Sequence, residues 1–448
     1  MSCSVALCIP TYERPELVRE FLDEHSADYI EAGIDIYYYD SSISTETEDL
    51  LRAWPDKEHV HYIKTRSPIK LINIFRQDGL EKAYDFLWMT NDSMHCSKAA
   101  LASILNDLQP EYDMLVLSHQ DIENIGKCIF ADANELLKMC AWTMTLFGAV
   151  LMNCHTMLRD VDWHYYEEAF PLAKYHSWIH VNFYFQRILE LKSCSVLHLS
   201  FREGISFSKK KKDVSWNDHF LQTAVTEWVK VIQSLPDEYQ SKREASVKFG
   251  DYSIFYGGVS FLFELRRRKI YSFHDYFAHY PYWPMALSLS RAKLFLAAAV
   301  PEQAVQAYYG ARYIIHQKRL EHFCDSFPKI YIYGAGYYGK FYSDHLRNCG
   351  IPFEGFCVTH RAAGQLEYCG KPVWSLREIK DRRDCGFLIG LSGRYAAQVI
   401  PFLKRTTGRN NYFFDPVMLY EIMYLAGYRL REVGVLNELR LPKRKKGG

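Results

Sequence analysis

Val5-Ala6-Leu7-Cys8-Ile9-Pro10-Thr11-Tyr12-Glu13-Arg14-Pro15 is the stretch whose reading decides the fold. Its unbroken apolar run predicts a buried strand. A Pro-Thr-Tyr turn follows, and Pro15 opens a helix that carries Leu17, Val18, Phe21 and Leu22 on one face. A second predicted strand, Ile34-Asp35-Ile36-Tyr37-Tyr38-Tyr39, ends on Asp40 and is followed by Ser41, Ser42, Ser44 and Thr45. Two strands that each deliver polar groups at their carboxyl ends build a crevice. In open α/β sheets that crevice is where nucleotides bind.

Outward from this stretch, strands are predicted at 5–9, 34–39, 60–64, 85–89 and 114–118, with helices near 15–28, 45–54, 69–82 and 97–108. Such alternation argues for a mostly parallel sheet with helices on both faces. Residues 140–225 are less regular and rich in aromatics, with Trp142, Trp163, Trp178 and Trp216, and hold a strand at 195–200. Long loops of this kind carry substrate-binding work on a rigid scaffold. Helices are predicted near 220–234, 252–268, 284–299 and 302–324, with Pro301-Glu302 as the restart between the last two. A fresh α/β unit begins at Lys329: a strand at 330–333, the loop Gly334-Ala335-Gly336-Tyr337-Tyr338-Gly339, a helix, and further strands at 353–358 and 387–391. A closing helix over 415–433 and the basic tail Lys443-Arg444-Lys445-Lys446 end the chain. The implied organisation is an α/β domain at 1–225, a helical linker or bundle at 226–326, a Rossmann-like α/β domain at 327–412, and a terminal helix with its tail at 413–448.

Composition narrows the class. A chain of 448 residues exceeds what one core organises, and 48% apolar with 15% aromatic residues suits packed domains rather than disorder. A net charge of +1 gives no argument for a nucleic-acid partner. The 12 cysteines show no zinc-type spacing, which points to reduced thiols in a cytoplasmic protein. Neither 141–152 nor 283–300, which Arg291 and Lys293 interrupt, reaches the ~20 apolar residues of a membrane span. The expectation is a soluble protein, or one touching the inner face of the membrane through its basic tail and Arg266-Arg267-Arg268-Lys269.

A third segment, Phe86-Leu87-Trp88-Met89-Thr90-Asn91-Asp92-Ser93-Met94, is a strand ending in a short polar cluster. With the two strand ends above, it resembles the family 2 glycosyltransferases of the GT-A fold. The likeness covers about residues 1–220 and is strongest over 5–94. It implies that Pro10, Thr11, Tyr12 and Arg14 lie against a nucleoside and that Asp40 bonds the base. Asp92, with Asn91 beside it, matches the first acid of the family's DxD-type cluster, which reaches the ribose and a divalent cation. Ser93 and Met94 stand where the cluster continues, so its last acid is missing. The resemblance implies Mn²⁺ or Mg²⁺ at Asp92, with cationic side chains as the alternative source of charge.

It also implies single displacement with inversion, in which a base deprotonates the acceptor. Asp160, Asp162, Glu167 and Glu168 are the nearest carboxylates, and none sits in a convincing copy of the family's acidic motif. Lys174-Tyr175-His176-Ser177-Trp178-Ile179-His180 resembles the Ser-Trp segment of abequosyltransferase-like members. Glu168 and His180 are carried forward as base candidates, with His176 as a further one. The lysine run Lys209-Lys210-Lys211-Lys212, near Trp216, is either solvated surface or a basic loop that closes over a diphosphate.

The implied activity is transfer of a sugar from a nucleotide diphosphate donor, UDP by default, to a glycan or lipid-linked acceptor in bacterial capsule or O-antigen-type polysaccharide synthesis. The carboxy-terminal module resembles Rossmann-like domains appended to bacterial polysaccharide enzymes. Its Gly334, Gly336 and Gly339 occur in the context of a dinucleotide fingerprint, yet Val358-Thr359-His360 offers no ribose-binding acid. Two other functions stay open: an NAD(P)-dependent nucleotide-sugar reductase using that loop, and a non-catalytic nucleotide-sugar-binding scaffold. Self-association is left open.

Overall fold

A computed structural model describes residues 3–65, 75, 79–118, 126–166, 177–201, 204–208, 219–251, 259–267, 269–359, 366–391, 393–408 and 410–419. The chain divides into two compact units, Met1–Tyr256 with Ile270–Leu294, and Gly257–Lys269 with Phe295–Gly448.

Strand β1 (Val5–Thr11) is the axis of the first unit. Its residues from Val5 to Ile9 are almost wholly buried, as their apolar run requires of a strand covered on both faces. It pairs in parallel with β2 (Ile34–Asp40) on one side and with β4 (Phe86–Met89) on the other, while β3 (Val60–Lys64) extends the sheet beyond β2. The register sets Thr11 opposite Asp40, and Asp40 opposite Lys64. From β1 the chain therefore moves to one side for two strands and then crosses back to the other. The crevice at the carboxyl ends of β1 and β4 is a topological switch point, the place where open α/β sheets take their ligands.

Beyond β4 the sheet is mixed. The chain continues through β5 (Met94–Cys96), β6 (Met114–Ser118), β7 (Cys128–Phe130), β8 (Val150–Asn153) and β9 (Val196–Ser200), and the full order is β3-β2-β1-β4-β8-β6-β9-β7. Strand β8 is antiparallel to both β4 and β6, and β7 is antiparallel to β9. The sequence places β8 in an irregular region, because four buried residues without alternation carry no periodic signal. A two-stranded ribbon joins β5 to β10 (Ile205–Phe207).

The helix predicted over 15–28 is two helices, Pro15–Glu24 and Ser26–Glu31. They break at His25, whose φ of −131° is non-helical and whose ring stacks on His95 at 3.9 Å. Of the helix predicted near 69–82, Leu80–Ala83 is present, and most of the remainder lies outside the described residues. The predicted helical middle is real, with helices at Trp228–Gln233, Lys242–Phe249, Val259–Arg267, Phe273–Ala278, Arg291–Ala299 and Glu302–Asp325. Pro301 is the cap residue of the last one. Residues 420–448, with the expected basic tail, lie outside the described residues.

The second unit holds a six-stranded sheet made of β11 (Lys329–Tyr333), β12 (Gly355–Val358), β13 (Glu367–Tyr368), β14 (Lys371–Ser375), β15 (Cys385–Ile389) and β16 (Tyr412–Phe413). Its order is β13-β14-β12-β11-β15-β16, and all pairs but β13–β14 are parallel. The five parallel strands thus follow the 3-2-1-4-5 order of a doubly wound sheet. The helix Tyr337–Cys349 packs so close behind β11 that a Cβ on Gly339 would lie 1.9 Å from the Gly334 carbonyl oxygen. Among the described residues, no helix is long and apolar enough to cross a membrane. Arg266 donates to the carbonyls of Ala297 and Val300, which end the helix Arg291–Ala299, so this member of the basic cluster has an internal use.

Candidate functional site

Three chain segments meet at the switch point. The Thr11 hydroxyl donates to Asp92 Oδ2 at 3.1 Å, and Arg14 Nη1 donates to Asp92 Oδ1 at 3.1 Å. The Ser41 amide donates to the Thr11 carbonyl at 3.1 Å, which ties the end of β2 to the end of β1. Asp92 is 1% exposed. A carboxylate that deep persists only where charge and hydrogen bonds replace its water, and both of its oxygens carry such donors.

Local sequence explains each placement. Pro15 sits in the first turn of its helix, where a missing N–H costs nothing, so the helix begins abruptly after the Pro-Thr-Tyr turn. Arg14 is the cap residue and makes no side-chain capping bond. Its guanidinium goes to Asp92 instead. Asn91 closes the turn after β4: its Oδ1 accepts from the Ser93 amide at 3.0 Å and the Ser93 hydroxyl at 2.6 Å. Its Nδ2 donates to the Phe147 carbonyl at 3.3 Å, which draws the segment after Trp142 against the site. The Ser208 amide donates to the Ser93 carbonyl at 2.7 Å, so the residue before the lysine run is pinned to the same turn.

Asp40 is fully buried and heavily engaged. Its Oδ1 accepts from the Ser42 amide at 2.8 Å, and its Oδ2 accepts from Tyr62 at 3.2 Å and Lys64 at 3.1 Å. Those bonds brace the loop after β2. Glu13 clamps the same loop from the other side, at a left-handed φ of 51°. Its carboxylate accepts from the Ile43 amide at 2.6 Å and from the Ser44 amide and hydroxyl at 3.0 and 2.6 Å. The Ser44 bonds, ahead of the Ile43 amide, hold the Glu13 pKa below its ordinary value. Glu13, Tyr62 and Lys64 are not singled out by the sequence motifs. Extending the strand register by one strand would have found Lys64, and matching the acid in the first turn to the serine-rich loop would have found Glu13. Tyr12, the residue after β1, is 48% exposed, and Pro10 lies within β1.

Among the described residues, no three His, Cys, Asp or Glu side chains converge to hold an ion. At Asp92 the described residues offer a divalent cation one carboxylate, which already carries a guanidinium, while Asn91 Oδ1 is turned to Ser93. An ion held there would draw its remaining oxygens from substrate phosphates and water. Met94, at the place of the missing acid, is buried: its Sδ lies 2.1 Å from where a Cβ on Gly148 would sit.

The base candidates part company. Glu168 and His176, with the lysines at 209–212, lie outside the described residues. His180 is 1% exposed on the helix Ile179–Leu191, its ring 5.2 Å from that of Phe147 and 5.9 Å from that of Tyr184. Neither ring nitrogen reaches hydrogen-bonding geometry, although the carbonyls of Thr145 and Met144 lie close enough to favour the proton slightly. Burial outweighs them and pushes the His180 pKa down to about 4. Trp178 is spent on packing, its indole donating to the Thr223 carbonyl at 2.8 Å and its ring meeting Trp228 and Phe249 edge-on.

A histidine with a folded pKa below its ordinary value of 6.5 binds its proton more readily when unfolded. Its stabilising contribution is therefore complete above pH 6.5 and lost as pH falls toward about 4, at up to about 1.4 kcal/mol per pH unit. Replacing His180 with phenylalanine is expected to flatten the pH dependence of urea unfolding between about pH 7 and pH 4.5 by that share. An unchanged slope would mean that the folded chain protonates His180 freely.

In the second unit, Gly334 at φ 115° and Gly339 serve the close approach of helix to strand. Where a dinucleotide site would present a ribose acid, the Thr359 hydroxyl instead meets the Tyr333 hydroxyl at 2.5 Å. Packing thus accounts for Gly334 and Gly339, whereas a Cβ on Gly336 would meet nothing within 4 Å.

No protein-family model matches the chain, and no curated protein does so by sequence. Solved structures do resemble it. TarS of S. aureus, residues 1–349, is similar over 66% of this chain and 86% of that one, at 13% identity and a TM-score of 0.41. The mannosyltransferase PcManGT from Pyrobaculum calidifontis, in complex with GDP-Man and Mn²⁺, is similar over 68% and 87%, at 14% identity and a TM-score of 0.38. The galactosyltransferase LgtC is similar over 43% and 72%, at 12% identity and a TM-score of 0.27. With TM-scores below 0.5, none of these likenesses bears on the chemistry of this chain.

Proposed function

We propose that the chain is a glycosyltransferase of the GT-A kind. It takes a sugar from a nucleotide diphosphate donor and passes it, with inversion, to a glycan or lipid-linked acceptor of a bacterial surface polysaccharide. The observation that carries this reading is the bond from Thr11 to Asp92, which brings the end of β1 and the turn after β4 together at the switch point. Asp40, one strand away, completes the row of polar strand ends.

In the transfer, the bond between the anomeric carbon and the β-phosphate oxygen breaks, and its electron pair leaves with the diphosphate. The acceptor hydroxyl oxygen bonds to that carbon from the opposite face, and its proton passes to a base. Glu168 is carried forward as a candidate for that base beside Asp160, Asp162, Glu167 and His176, while His180 is sealed among aromatic rings. Pro10, Thr11 and Tyr12 flank the nucleoside. The work of Asp40 is to hold the loop after β2 in the shape that meets the base.

Release of nucleotide diphosphate from a panel of UDP- and GDP-sugars tests the proposal. Release from one nucleotide class, stimulated by a glycan acceptor, is the expected result. Nucleotide binding with no release from any donor would instead make the chain a nucleotide-sugar-binding scaffold. Tight NADH or NADPH binding with no response to UDP or GDP would favour the reductase.

A further inference from the structure

We infer that Arg14 is the resident cation of the donor site, taking at the diphosphate the charge-neutralising place that a divalent ion would otherwise fill. The inference rests on the proposed donor site and adds how that site handles charge.

Three observations converge on it. The cap position of a helix favours a short polar side chain that bonds the first-turn amides, and Arg14 makes no such bond. It holds Asp92 at 3.1 Å instead, across 78 residues of sequence. The exposures of the two partners differ sharply: the Asp92 side chain is 2% exposed and that of Arg14 is 35%. The carboxylate is sealed from solvent, while part of the Arg14 side chain stays open to it. Five N–H donors in a planar fork leave capacity for phosphate oxygens after one bond to Asp92, and that fork matches phosphate geometry.

The third observation is the fate of the acidic cluster. Two carboxylates would make the site strongly negative and attractive to Mn²⁺ or Mg²⁺. Here Asp92 is compensated by Arg14, and Met94 is buried against Gly148. A sealed and compensated carboxylate offers a divalent ion little by itself, whereas the partly exposed Arg14 side chain offers a diphosphate a preorganised cation. Asp92 then acts as a positioning residue, holding the guanidinium where the phosphates arrive.

Calorimetric titration of the full chain with UDP, GDP, uridine and guanosine, first in EDTA and then in Mn²⁺, tests this. In EDTA the diphosphate is expected to bind its site at least about tenfold tighter than the matching nucleoside, the size of one or two charge-assisted hydrogen bonds. Manganese should change that ratio by less than about threefold. Arg14→Gln should remove the gap between diphosphate and nucleoside, and Arg14→Lys should restore part of it. A gap that appears only with manganese overturns the inference and leaves the donor-site reading standing, even should Arg14→Gln fail to fold. A gap that survives in Arg14→Gln overturns it equally. If neither nucleotide nor nucleoside binds under either condition, the donor site itself is wrong and the inference falls with it.

Discussion

Asp92→Ala is expected to reduce donor turnover by about a hundredfold or more, because it unmakes the geometry of two neighbours at once. The Thr11 hydroxyl loses its acceptor, and the Arg14 guanidinium loses the carboxylate that fixes it. Stability should fall as well. Removing one partner of a buried pair costs about 3–5 kcal/mol, and the partial exposure of Arg14 places this case toward the lower end. Urea unfolding gives the stability change, and nucleotide release gives the turnover. Thr11→Val separates the two effects, since it removes one hydrogen bond and leaves the ion pair. It should cost about 1–2 kcal/mol and much less activity than Asp92→Ala. Equal loss of turnover in both variants would place the function in the Thr11 hydroxyl instead.

Gly148→Ala is expected to be about as damaging to the fold, by a different route. Gly148 has φ 95°, a region that alanine enters only with strain, and its added Cβ would meet Met94 Sδ at 2.1 Å and Thr90 Oγ1 at 2.9 Å. Met94 can swing aside, but Thr90 lies directly after β4, and its amide donates to the Cys8 carbonyl. The Gly148 amide donates to the Met89 carbonyl, and the Trp88 indole donates to the Gly148 carbonyl at 2.9 Å. The segment therefore cannot lift away without breaking bonds to β4. Strain and overpacking together should cost about 2–5 kcal/mol. Thermal unfolding checks this, with a midpoint unchanged from wild type as the contrary result. Donor binding should weaken in parallel, since Phe147 anchors Asn91.

How far the sequence can be read depends on the type of signal. The strand β1 and the strand ends at Asp40 and Asp92 are legible because a long apolar run that stops at polar residues fits little besides a buried strand. The convergence of Thr11 and Asp92 follows from topology, since β1 and β4 are neighbours. The strand β8 is not legible: Val150–Asn153 is short, wholly buried and antiparallel in a region of irregular pattern. The Arg14–Asp92 pair is hidden for another reason. Both residues are site candidates by sequence, yet nothing local says that a helix-cap arginine turns its side chain to a carboxylate 78 positions along the chain. The partners of Asp40 escape notice because Lys64 joins it only through strand register. His180 shows the converse limit. Its position beside Ser177-Trp178 suggests chemistry, while its surroundings of Phe147 and Tyr184 make it a core residue. Gly334 and Gly339 of the second unit likewise match a cofactor motif and serve the approach of a helix to its strands.

The central claim is that nucleotide binds where β1, β2 and β4 end. Hydrogen–deuterium exchange of the full chain with and without saturating UDP or GDP addresses it directly. The account predicts slowed exchange at 10–14, 40–44 and 90–94, and none of comparable size at 334–340. Protection confined to the glycine-rich loop of the second unit, with the switch point of the first unchanged, would contradict it.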